Sequence, residues 1–192
     1  MPETVEQYIS RILGYVQGQD ALKVQRSTAA KLEKAIRGLT PQQLKWRPEP
    51  AKWSITEVLA HLADTEIAGS WRMRSVIGEN GVTTQPFDQD AWASVFDYAG
   101  RDPHQSLKTF RVLRENNLRM LKEIPPEVWE NYGMHLERGK ETLAHIVRMF
   151  AGHDTNHILQ VERIVQQLRA EPSNGRVKKK PVRKKSISKK KR

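Results

Sequence analysis

Leu143-Ala-His-Ile-Val-Arg-Met-Phe-Ala-Gly-His-Asp-Thr-Asn-His-Ile-Leu-Gln-Val-Glu-Arg-Ile-Val-Gln-Gln-Leu168 carries the longest helical pattern in the chain. Leu143, Ile146, Val147, Phe150, Ile158, Val161, Ile164, Val165 and Leu168 recur at spacings that place them on one face of a helix. The pattern predicts a helix from about Thr142 to Arg169. His153 and His157 interrupt the apolar stripe in its middle. Four residues make about one turn, so both imidazoles leave the same face, roughly 6 Å apart along the axis. Polar rings at core positions need partners. Buried carboxylates are one solution, and a metal ion with a third ligand from another helix is the other.

Upstream, helix signals fill most of the chain. Residues 4–37 carry a first pattern, with Val5, Tyr8, Ile9, Ile12 and Leu13 on one face and Leu22, Ala29, Leu32 and Ile36 continuing it. Gly14 and Gly18 mark a break or kink between the halves. Thr40-Pro41-Gln42-Gln43 supplies an N-cap, a proline at the first helical position and a capping box for a short helix. Trp46-Arg-Pro-Glu-Pro50 reads as extended, because a residue before proline is pushed out of the α region. Ser54-Ile-Thr-Glu57 is a second capping box, with Trp53 placed to staple onto Val58, and opens a helix to about Gly78.

Residues 79–101 make a long connection with a short helical turn at Asp90–Tyr98, and connections of that length are often functional. Asp102-Pro103 starts another helix through Leu107, Phe110, Leu113, Leu118 and Leu121, ending before Pro125-Pro126. A loop with Trp129 and Tyr132 follows. No strand alternation persists and no repeat is evident. Four main helices around one apolar core predict an all-α four-helix bundle.

The net charge of +11 belongs to one end of the chain. Residues 173–192 hold eleven lysines and arginines and no acidic residue, which leaves 22 basic against 22 acidic residues in the remainder. Pro172-Ser-Asn-Gly175 marks the boundary. The expected organisation is a folded domain at 1–171 and a disordered basic tail at 172–192. Such a tail attracts nucleic acid without sequence preference, in a strongly salt-dependent way, but it lacks aromatic residues for base stacking.

Absent cysteines exclude disulfides, thiolate ligands and a cysteine nucleophile. No apolar run is long enough for a membrane span, and Met-Pro-Glu-Thr-Val-Glu-Gln has no secretory pattern, so a cytoplasmic location is expected.

His61, on the Ser54-capped helix, is the natural third ligand. If that helix packs against the last one, His61 meets His153 and His157 across the interface. Three neutral imidazoles suit zinc, nickel or iron and leave a position open for water or substrate. His-Asp-Thr-Asn-His lacks the glutamate that the metalloprotease motif uses as its base, which excludes that reading.

Trp46-Arg-Pro, Trp53-Ser, Glu57-Val-Leu-Ala-His-Leu-Ala-Asp-Thr-Glu66, Leu143-x-His145 and Gly152-His-Asp-x-x-His157-x-x-Gln160 together resemble the DinB-like metalloproteins, including the YfiT-type branch. The resemblance covers about residues 20–168. It implies an up-down four-helix bundle with a long crossover connection, usually a homodimer, with His61, His153 and His157 binding one divalent metal. It also implies a small-molecule substrate, with thiol S-transfer from a low-molecular-weight thiol or metal-dependent hydrolysis as the chemistry. The competing readings are a metal-binding bundle without catalysis that associates with nucleic acid through its tail, and one that keeps a metal for stability.

Other residues carry weaker expectations. Asp64 and Asp154 are either carboxylates that orient the histidines or ordinary helix-face charges. His145 is expected to be structural or to support the ligands, and His104 and His135 to be exposed. Trp46, Trp53 and Trp71 read as core and staple residues, with Trp71 or the 79–101 connection as the alternative pocket lining. Arg72 and Arg148 are candidates for an acidic substrate, although most helix arginines are solvated.

Overall fold

The computed structural model describes residues 3–170. The segment 172–192, expected as a disordered tail, lies outside the described residues. The elements are helices α1 Val5–Gly14, α2 Ala21–Ile36, α3 Pro41–Lys45, α4 Ile55–Gly78, α5 Gln89–Val95, α6 Pro103–Glu123 and α7 Leu143–Ala170. Three short strands accompany them: β1 Val82–Thr84, β2 Tyr132–His135 and β3 Gly139–Thr142.

Local chemistry sets the helix starts. Asp20 accepts hydrogen bonds from the Leu22 and Lys23 amides, which starts α2 after Gly18 turns the chain at φ +72°. The 4–37 pattern therefore divides into two helices. Ser54 and Glu57 form the reciprocal capping box of α4, and the Glu57 carboxylate also pairs with Arg47. That ion pair ties the extended Trp46-Arg-Pro segment to the start of α4. Asp102 caps α6, with Pro103 in its first turn.

The four long helices pack as a square. Helices α2 and α4 each lie against both α6 and α7, so α2 faces α4 across one diagonal and α6 faces α7 across the other. Two apolar clusters fix the directions. One gathers Leu32 and Ile36 from late α2, Ile55 and Leu59 from early α4, Phe110 from early α6 and Val165 from late α7. The other gathers Met73 and Val76 from late α4, Leu121 from late α6 and Leu143 and Val147 from early α7. Helices α2 and α7 thus run one way, and α4 and α6 the other. Because the neighbours α4 and α6 are parallel, the connection between them must travel back along the bundle, which is the expected long crossover.

The small sheet was not expected from the sequence. Within it β1, from the crossover, pairs in parallel with β2, and β2 pairs antiparallel with β3. Strands of three and four residues are too short to display alternation, and a parallel pairing across 50 residues is set by the bundle that supports it. Its effect is to tie the crossover to the residues before α7. His135, expected to be exposed, is buried in β2 opposite Thr84.

Helix α1 lies against α7. A Cβ on Gly152 would stand 2.1 Å from the Ile12 carbonyl oxygen, so the close approach needs glycine there. No helix among the described residues is long and apolar enough to cross a membrane.

Candidate metal centre

Three imidazoles converge between α4 and α7. The Nε2 atoms of His61 and His157 each lie 3.1 Å from Nε2 of His153. His61 and His157 are buried, and His153 is half-buried. The fold brings them together because α4 and α7 pack in contact and His153 and His157 are one turn apart. Trp53, just before the α4 cap, lies over His61 with ring centroids 4.9 Å apart.

Hydrogen bonding alone does not satisfy this arrangement. A neutral imidazole nitrogen carries either one proton or one lone pair, so His153 Nε2 cannot make a good hydrogen bond to both neighbours. His157 Nδ1 lies 2.8 Å from Gln160 Oε1. With the amide oxygen accepting there, Nδ1 bears the proton and the Nε2 lone pair faces the other two rings. A tetrahedral ion with bonds of about 2.0–2.1 Å to nitrogen holds its ligands roughly 3.3 Å apart. The donor set and its spacing therefore fit a divalent ion.

Electrostatics supports the same protonation state. Burial pushes the His61 and His153 pKa values well below the ordinary histidine range, with neighbouring histidines adding to the effect. Burial also lowers His157 to about 4, against the opposing effect of the hydrogen bond that its Nδ1–H donates to Gln160 Oε1. All three rings are neutral near pH 7, the form that binds metal.

The site opens on a cavity of about 360 Å³ between α4 and α7. His61 and His153 line it, together with Thr65, Met149 and Phe150. Pro86, Phe87 and Gln89 from the crossover, the start of α1, and Glu137 and Arg138 from the hairpin close its other sides. His157 is not part of the wall. The crossover lines the cavity as expected, whereas Trp71 is 75% exposed and is neither the core residue nor the pocket lining that the sequence suggested.

The two carboxylates proposed to steer the histidines do other work. Asp64 is buried and accepts from Arg101 Nη1 at 2.8 Å. Asp154 is buried against Arg114, and Thr28 Oγ1 donates to it at 2.9 Å. Neither is an ordinary solvated charge, and neither hydrogen-bonds a site histidine. Arg114 also donates to Glu66 at 2.7 and 3.0 Å, and Asn117 Nδ2 donates to Glu66 at 2.7 Å. This network joins α2, α4, α6 and α7 through side chains that the sequence scatters over more than a hundred residues. His145 stays apart from the three rings, half-buried near Glu141. His104 and Arg148 are exposed, and Arg72 is buried in the cavity wall.

The DinB superfamily pattern matches residues 26–161, which include both histidine-bearing helices. This chain belongs to the DinB superfamily. Among curated DinB-like relatives, it is 24% identical over 149 residues to "Putative metal-dependent hydrolase YfiT" of Bacillus subtilis, covering 77% of this chain and 83% of that protein. A protein of Oceanobacillus iheyensis, also named a putative metal-dependent hydrolase, is 24% identical over 130 residues, covering 68% of this chain and 75% of the relative. The solved structure of YfiT, described as having an unusual four-helix bundle topology, superposes with a TM-score of 0.73 at 21% identity. It covers 86% of this chain and 90% of YfiT, which shows the shared four-helix bundle fold.

Proposed function

We propose that this protein is a divalent-metal-dependent hydrolase of small molecules, with His61, His153 and His157 as the metal ligands. The observation that carries this reading is the convergence of three neutral Nε2 atoms, with two of the three rings, His61 and His153, lining a cavity. The names of the relatives, metal-dependent hydrolases, support the same class. A bound divalent ion supplies Lewis acidity, lowering the pKa of a nucleophile so that it acts near neutral pH.

The chain's own residues supply the rest. Gln160 holds His157 in the tautomer that presents Nε2, and Trp53 packs over His61 and limits its rotation. Met149 and Phe150 make the cavity wall apolar and exclude water from one side of the substrate. Thr65 Oγ1 stands 3.4 Å from His61 Nε2, where a hydroxyl can orient a bound group. The same site suits thiol S-transfer if the nucleophile is an external thiol, because the chain has no cysteine of its own.

Elemental analysis of protein purified without chelator is expected to give about one divalent ion per chain. His61→Ala, His153→Ala and His157→Ala are each expected to lose it. Full occupancy in all three folded variants overturns the site assignment. Turnover of ester and amide substrates, compared with turnover of electrophiles with and without added thiol, separates hydrolysis from S-transfer. Metal-loaded protein that processes none of them is a binding protein instead.

A further inference from the structure

Arg72 is an anomaly in the cavity wall. It is 8% exposed, and no carboxylate among the described residues lies within ion-pair distance of it. Its hydrogen bond among those residues is from Nη2 to the Gln85 carbonyl at 2.8 Å. The remaining guanidinium N–H groups have no protein acceptor, and none is sealed away from solvent. A guanidinium held in a cavity wall without a paired carboxylate, with free N–H groups open to the cavity, offers charge and donors to an anion there.

The neighbouring charges do not form an ion pair with Arg72. Arg138, also in the wall, is already paired with Glu141, at 2.6 and 3.1 Å. Glu141 attracts Arg72 electrostatically, while Arg138 repels it. Of the acidic residues lining the cavity, Glu3 is held by Arg11 through both carboxylate oxygens at 2.8 Å. Glu137 is exposed.

Position along α4 completes the argument. Arg72 follows His61 by eleven residues, so both lie on nearly the same helix face, about 16 Å apart along the axis. Thr65 and Gly69 fall on that face between them, and the Phe150 ring fills the space that a Cβ on Gly69 would occupy. Met149, Phe150 and Phe87 make the intervening wall apolar.

We propose that Arg72 is an anion-recognition residue of this cavity, binding the carboxylate or phosphate end of an elongated substrate whose apolar middle lies along Phe150 and whose reacting end reaches the histidine cluster. This rests on the functional reading above, but it predicts binding that does not need the metal.

The test is calorimetric titration of the full-length, metal-loaded protein with octanoate, octyl phosphate and 1-octanol. At least one of the two anions is expected to bind roughly tenfold or more tightly than octanol. The preferred head group identifies carboxylate or phosphate as the recognised end. Arg72→Gln is expected to abolish the preference, and Arg72→Lys to retain part of it. His61→Ala is expected to keep the preference even where it loses metal, so failure of the metal assignment and failure of the arginine subsite remain separate. Equal binding of octanol and both anions by the wild type overturns the proposal without any variant, as does the absence of saturable anion binding. An anion preference that survives intact in folded Arg72→Gln also overturns it, because the head group is then held elsewhere.

Discussion

Arg114 Nη2 donates to Asp154 Oδ1 at 3.1 Å, and Asp154 is the residue directly after His153. One residue turns a helix by about 100°, so α7 offers His153 to the cavity and Asp154 to a separate polar core. Burial alone would lower the Arg114 pKa, but the charges of Asp154 and Glu66 outweigh it and hold the guanidinium protonated. Burial raises the Asp154 pKa, and Arg114 opposes that rise. The network sits where the two apolar clusters of the bundle meet, and the helices are bound there by charge rather than by apolar packing.

Removing the cation alone should therefore be expensive. Arg114→Met leaves the buried carboxylates of Glu66 and Asp154 uncompensated and is expected to cost about 3–5 kcal/mol in urea unfolding. Replacing all three with neutral residues, as Arg114→Met with Glu66→Gln and Asp154→Asn, should recover most of that loss. A single variant that unfolds at the wild-type urea concentration would show that the network contributes little.

Sequence patterning revealed the helices because their signals are local. The Ser54 and Asp102 caps lie within one turn of the amides they bind, and the α7 stripe repeats within a few residues. The pair His153 and His157 was equally legible. His61 entered as a conditional third ligand, if its helix packed against the last one, and the family resemblance strengthened it, since no spacing rule links residues 92 apart in the chain. Arg72 was legible only as one of two candidate arginines, beside the exposed Arg148, and Arg114 drew no reading, because burial is decided by packing that the chain pattern does not encode. His135 was misplaced for a related reason: its strand is four residues long, and Thr84 comes to lie opposite it only when the crossover is in place.

Gln160 gives a finer test of the site than removal of a ligand. Its contact with His157 Nδ1 orients the ring from the side away from the Nε2 proposed to bind the ion. Gln160→Leu should leave all three histidines in place yet weaken metal affinity roughly 10–100-fold, read by competition with a fluorescent chelator. Release of metal to excess chelator should quicken as well. An unchanged affinity would mean that packing alone orients His157.

His135 sets a pH dependence that can be separated from the metal site. Its pKa is lowered to about 4, mainly by burial, with Arg138 and Arg72 adding to the shift and Glu141 opposing it. Unfolded histidine titrates near 6.5, so between that value and about 4 the unfolded chain binds one more proton than the folded chain. The stability contributed by neutral His135 is complete above the unfolded value and is lost as pH falls toward 4. The full shift would correspond to about 3 kcal/mol, an upper bound that solvent screening reduces. Urea unfolding of wild type and His135→Gln at intervals from pH 7 to pH 4 should show the wild type losing stability relative to the variant by that order. A difference between the two proteins that stays constant across the range would place the titration on another group.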